Sequence, residues 1–138
     1  MDMQEKFDKA CGLTESIIGA AIEVHKDKGP GLLEGIYEWC LLRELELRHL
    51  STCCQKDVVI EYKGAKKEEP LRFDILVEDC VLVEVKAVER VIPLNKAQLL
   101  SYMRLLSNPV GLLINFNVER LVDGVSRLIL PEFRSQTP

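Results

Sequence analysis

Small and apolar residues recur three and four apart at Phe7, Ala10, Cys11, Thr14, Ile17, Ile18, Ala21, Ile22 and His25. That is the spacing of one face of an α-helix, and it predicts a long first helix ending near Lys28. Gly29-Pro30-Gly31 stops it, since both residue types oppose helix continuation. A second, leucine-rich helix is expected over about residues 33–49. From Cys53 the period changes to two. Val58, Ile60 and Tyr62 alternate with Asp57, Glu61 and Lys63, the pattern of a half-buried strand. Residues 63–67 read as a turn. A second strand is expected over 71–77 and a third over 81–88, joined by a tight turn at Glu78-Asp79-Cys80. Pro93 can open a helix running to about Ser107. Residues 110–116 form a nearly all-apolar run, as in a strand covered on both faces. Residues 121–130 add an edge strand after a turn at Asp123-Gly124. A three-strand meander, a crossover helix and a buried strand together predict an α/β sandwich.

The 138 residues suit one domain spanning 1–138. No run approaches the roughly 18 apolar residues of a membrane span. The stretch MDMQEKFDKA lacks the apolar core of a signal peptide. The expectation is a soluble, cytoplasmic protein with no membrane partner. The net charge of −4 excludes binding of nucleic acid by bulk charge alone. The acidic excess falls within residues 1–50, while residues 86–104 set Lys86, Arg90, Lys96 and Arg104 against Glu89 only. The five cysteines match no CxxC spacing and are expected to be reduced, acting as small apolar residues.

The third strand places Val81, Val83 and Val85 on one face and Leu82, Glu84 and Lys86 on the other. Taken alone, it reads as an amphipathic strand with a solvated outer face. The preceding strand changes this. With a three-residue loop at 78–80, Val77 opposes Val81, Asp74 opposes Glu84, and Arg72 opposes Lys86. Two carboxylates facing across a ladder repel. A divalent cation between them reverses that sign, because carboxylate oxygens suit Mg²⁺ or Mn²⁺. A two-residue loop would send the pair to opposite faces, so the reading depends on register.

Glu34 lies one turn from Tyr37 and Glu38 on the second helix. It is either drawn toward the interior or simply favoured by the macrodipole at the helix N-terminus. On the third helix Gln98, Ser101 and Tyr102 share a polar stripe opposite Leu99, Met103 and Leu106. Gln98 is either a surface residue or an amide that positions water or phosphate. Tyr102 either covers the core edge or packs over a site. Lys96, Arg104 and Arg90 could hold a phosphate backbone.

Asp74, nine residues, then Glu84-Val85-Lys86 resembles the D…ExK signature of the PD-(D/E)XK nuclease superfamily. Gln98-Leu-Leu-Ser-Tyr102 resembles the QxxxY element on the helix that follows in several of its branches. The chain from His25 to Phe116 is similar to the bacterial GxxExxY proteins, through Gly31-Leu-Leu-Glu34-Gly-Ile-Tyr37. Such proteins often carry a histidine where this sequence has Asn95. The resemblance implies a restriction-endonuclease-like core (α-β-β-β-α-β), with a mixed central sheet flanked by helices. It implies a metal-dependent nuclease acting on nucleic acid, DNA sooner than RNA. Asp74 and Glu84 would bind Mg²⁺ or Mn²⁺, with the Val85 carbonyl and Glu34 as further contributors. Lys86 and Gln98 would join the catalysis, and Tyr102, Arg90, Lys96 and Arg104 would position substrate. His25 is read first as a packing residue. The rival expectations are a non-catalytic binding module recruited by a protein partner, and a homodimer using Trp39, Tyr62 and the second helix.

Overall fold

The computed structural model describes residues 1–136. The chain runs α1 (Met3–Lys28), α2 (Glu34–Leu47), β1 (Thr52–Tyr62), β2 (Ala65–Val77), β3 (Val81–Lys86), α3 (Pro93–Leu106), β4 (Val110–Asn115) and β5 (Val125–Ile129). Short 3-10 turns occupy Leu121–Gly124 and Pro131–Gln136. The five strands form one sheet in the order β1-β2-β3-β4-β5. All neighbours are antiparallel except β3 and β4, which α3 joins as a parallel pair. This is an α/β fold, as the periodicity predicted, with a mixed sheet flanked by helices, as the resemblance implied.

α1 starts at an N-cap, where Asp2 accepts the Glu5 N–H at 2.8 Å. It ends at Gly29, whose φ of +67° suits glycine. Phe7, Ala10, Ile17, Ala20, Ala21 and Val24 form its buried face. α1 packs on α2, β3 and β4, and α3 packs chiefly on β4. There, a Cβ on Gly111 would lie 2.6 Å from the Met103 sulfur and 3.3 Å from Leu99. The missing side chain lets α3 lie close against the sheet. All of Val110–Asn115 is buried, as the apolar run required. Among the described residues, no helix is long and apolar enough to cross a membrane.

Several expected boundaries shift. The turn expected over 63–67 is only Lys63-Gly64, both at positive φ, and β2 begins at Ala65. This two-residue turn suits the twist of a hairpin, so Lys66 and Lys67 pair with Glu61 and Ile60. β3 stops at Lys86, because Asn115 then takes over the Val88 backbone by accepting its N–H and donating to its carbonyl. The last edge strand begins at Val125, after a 3-10 turn rather than a simple bend. All five cysteines are free, but only Cys80 is fully buried. Cys11, Cys53 and Cys54 are exposed rather than core-filling. Leu82 is 1% exposed, so the second face of β3 is covered at that point and not solvated.

Candidate active site

The β2–β3 loop has three residues, Glu78 to Cys80, with Glu78 and Asp79 both in the left-handed region. Val77 therefore opposes Val81, Leu76 opposes Leu82 and Ile75 opposes Val83. The loop length is the one the expected register needs, but the ladder ends at Ile75–Val83, so neither Asp74 with Glu84 nor Arg72 with Lys86 forms the expected ladder pair. The two carboxylates still lie close enough for the Asp74 charge to act on Glu84.

The early end of the ladder is caused by a bulge. On β1, Cys53 pairs with Leu76 and Gln55 with Arg72, so Phe73, Asp74 and Ile75 stand against Cys54 alone. A bulge bends its strand and re-aims the side chains it carries. Here Asp74 turns its Oδ2 onto the Val85 N–H at 2.7 Å. A side chain thus gives the Val85 N–H a partner beyond the end of the β2–β3 ladder.

Asp74 and Glu84 line a cavity of about 180 Å³ together with Arg72, Phe73, Gln98 and Tyr102. Gln98 and Tyr102 come from adjacent turns of α3, which the close approach at Gly111 holds over the sheet. Lys86 reaches back to Glu84 on its own strand, with Nζ 3.3 Å from Oε1. Both groups are largely shielded from water, so this pair is screened less than a surface one.

The carboxylates are held above their ordinary titration range. For Asp74, burial raises the pKa, and the Val85 N–H and Lys86 only partly offset it. Glu84 is raised by burial and then by the Asp74 charge, against the pull of Lys86. Glu34 is raised by burial, with Lys86 lowering and Asp74 raising it. Glu38 is raised by burial and by the charges of Asp74, Glu34 and Glu84. Four carboxylates therefore share one field, with Lys86 as the cation acting on three of them.

The Gly31…Glu34…Tyr37 segment is placed by its tyrosine. The Tyr37 hydroxyl donates to the Gly29 carbonyl at 2.5 Å and accepts the Leu32 N–H at 3.1 Å. Its ring stacks on Phe116 with centroids 4.6 Å apart. Gly31 sits at φ +98°, which a side chain would strain. Tyr37 thereby pins the loop that starts α2, and Glu34 is the first residue of that helix. Asn95 caps α3, its side-chain oxygen accepting the Ile92 N–H at 3.0 Å. His25 packs, as expected. It is 9% exposed, its Nε2 lies 2.8 Å from the Val118 carbonyl oxygen, and its ring tilts toward Phe116.

The cavity thus brings together Asp74, Glu84, Gln98 and Tyr102, with Lys86 paired to Glu84. It does not gather the expected basic residues. Lys96 lines a different cavity, beside Val91, Ile92 and Pro93, and Arg90 and Arg104 are not among the residues lining the Asp74–Glu84 cavity. Three contributors were assigned no part in the site from sequence: Glu38 and Arg72, which were noted only for their positions, and Phe73. Glu38 is four residues beyond Glu34 and so shares its helix face. Arg72 and Phe73 immediately precede Asp74 and reach the cavity at the bulge, where strict alternation does not hold.

The donor set suits a hard divalent cation, because Asp74 and Glu84 offer carboxylate oxygens from adjacent strands. Among the described residues, no three Asp, Glu, His or Cys side chains are close enough to cage a metal by themselves. Mg²⁺ does not need such a cage, since it commonly keeps several waters and takes one or two carboxylates plus substrate phosphate.

The model of the PD-(D/E)XK nuclease superfamily matches residues 12–128. No curated protein and no solved structure matches the chain.

Proposed function

Because this chain belongs to the PD-(D/E)XK nuclease superfamily, we propose that it is a divalent-metal-dependent nuclease hydrolysing phosphodiester bonds in nucleic acid, DNA sooner than RNA. Within the superfamily we place it with the GxxExxY proteins, as a single domain over 1–138. The observation that carries the reading is the cavity uniting Asp74 and Glu84 with Gln98 and Tyr102, with Lys86 held to Glu84 at 3.3 Å.

Asp74 and Glu84 would hold Mg²⁺ or Mn²⁺, with Glu34 and Glu38 adding negative charge around them. When bound, such an ion lowers the pKa of a water and offsets charge on the scissile phosphate. The chain's own groups do the rest. Lys86 balances the carboxylates and supplies a positive charge toward the developing transition state. Gln98 orients a water or a phosphate oxygen through its amide. Tyr102 walls the cavity and holds substrate against it.

The experiment is cleavage of labelled single- and double-stranded DNA and RNA with Mg²⁺ or Mn²⁺. Cleavage should vanish in Asp74→Ala and in Lys86→Ala. Undiminished cleavage in either variant overturns the assignment. A second reading, a non-catalytic assembly module or homodimer, draws on the outer face of α2. Trp39 is 71% exposed there, and Ile36 and Leu47 are also exposed. It predicts concentration-dependent sedimentation and no cleavage.

A further inference from the structure

The nuclease reading leaves open what holds the substrate, since Arg90, Lys96 and Arg104 do not line the cavity. Arg72 does, and it is the one cation among the residues that line it. It precedes the bulge on β2 and pairs through its backbone with Gln55. Among the described residues its guanidinium makes no ion pair and no hydrogen bond. Lys86, by contrast, is engaged with Glu84. The two cations near the site are therefore differently placed: one balances the acidic groups, and the other stands free at the cavity wall.

The size of the cavity limits what enters it. Sites that engulf a whole small molecule run to roughly 300–1,000 Å³, and this one is about 180 Å³. It has room for a single phosphodiester group and its counter-ion, not for a complete nucleotide with them. The rest of such a substrate must lie across the mouth. A guanidinium is suited to holding it there, because its planar fork can take two phosphate oxygens at once.

We propose that Arg72 grips a phosphate of a polymeric nucleic-acid chain laid across this cavity, and so is a substrate-positioning residue on the same strand as Asp74. The assignment rests on the nuclease reading and adds to it the residue that binds and the requirement for a polymer.

The test separates the two. Binding of a fluorescein-labelled oligonucleotide is followed by anisotropy in EDTA over a salt series, and cleavage is then measured with Mn²⁺. Arg72→Ala should weaken binding about tenfold or more. It should also flatten the plot of log K against log salt by about 0.7–0.9, the loss of one phosphate contact. Arg72→Lys should keep most of the slope while losing affinity, and both variants should raise KM more than they lower kcat. Arg127→Ala removes the same charge from β5, at the far edge of the sheet, and should change neither affinity nor slope. Wild-type affinity and slope in Arg72→Ala overturn the Arg72 assignment and leave the nuclease reading standing. An equal loss in Arg127→Ala overturns it as a general charge effect. A mononucleotide that competes as well as the oligonucleotide overturns the polymer requirement. A wild-type protein that neither binds nor cleaves overturns both readings.

Discussion

Asp74→Asn should make the metal-free protein more stable while removing its response to metal. The change keeps the size of the side chain and an oxygen that can accept the Val85 N–H, now 2.7 Å away. It removes a negative charge that acts on Glu84. The raised pKa of Asp74 gives the sign, because burial outweighs both the Val85 N–H and Lys86. Like charges brought together on adjacent strands cost on the order of 0.2–1 kcal/mol, and the partial exposure of the two groups keeps the gain within that range. For a chain of this size, about 1 kcal/mol corresponds to roughly 4 °C in Tm. In EDTA near neutral pH the variant should therefore melt about 1–4 °C above wild type.

The pH dependence follows from the same shift. A carboxyl whose folded pKa is raised favours the folded state when protonated. The wild-type protein therefore recovers relative to the variant as pH falls through the folded pKa. The difference disappears below the unfolded value of about 3.9. Adding Mg²⁺ at ten times its Kd should stabilise wild type by about 1.4 kcal/mol, enough to reverse the order, and should leave the variant unmoved. Differential scanning fluorimetry over pH, with and without Mg²⁺, reads all of this. A variant no more stable than wild type in EDTA, or an equal Mg²⁺ shift in both proteins, refutes the reasoning.

Three further outcomes are expected. Gly124→Ala would put a Cβ 2.0 Å from the Asn115 carbonyl oxygen, next to the residue that pairs with Lys86. Urea denaturation should show a loss of about 3 kcal/mol or more. Tyr37→Phe removes the hydroxyl that ties Gly29 to Leu32, which should cost about 1–2 kcal/mol in thermal melts. It should also slow cleavage through the loosened start of α2. Lys86→Met removes the charge that lowers Asp74, Glu84 and Glu34. NMR titration of the side-chain carboxyls should then place all three at higher pH than in wild type, and unchanged titrations would contradict the shared field.

How much of this was legible follows from the distance over which each feature is decided. The α1 stripe and the apolar run of β4 are local patterns, and they marked their elements closely. The meeting of Asp74 and Glu84 at one cavity was legible only conditionally. It depended on a loop length that Glu78 and Asp79 settle by both adopting positive φ. The bulge was not legible, because it is a mismatch between two strands: Phe73, Asp74 and Ile75 stand against Cys54 alone. That mismatch ends the ladder short of Arg72 and Lys86 and sends Asp74 to the Val85 N–H.

The basic stretch over 86–104 does not converge on the cavity, for a geometric reason. Successive helical residues lie about 100° apart around the axis. Lys96 stands two residues before Gln98, and Arg104 two residues after Tyr102. Each is therefore rotated about 200° from the side chain that lines the cavity. Charge clustered along a helical sequence is dispersed around its circumference. On a strand, the same two-residue separation returns a side chain to the same face. The β2 bulge departs even from this rule, because the consecutive residues Arg72, Phe73 and Asp74 all line the cavity. Neither period alone would have marked Arg72, because the bulge that gathers it beside Asp74 is decided between two strands rather than along one.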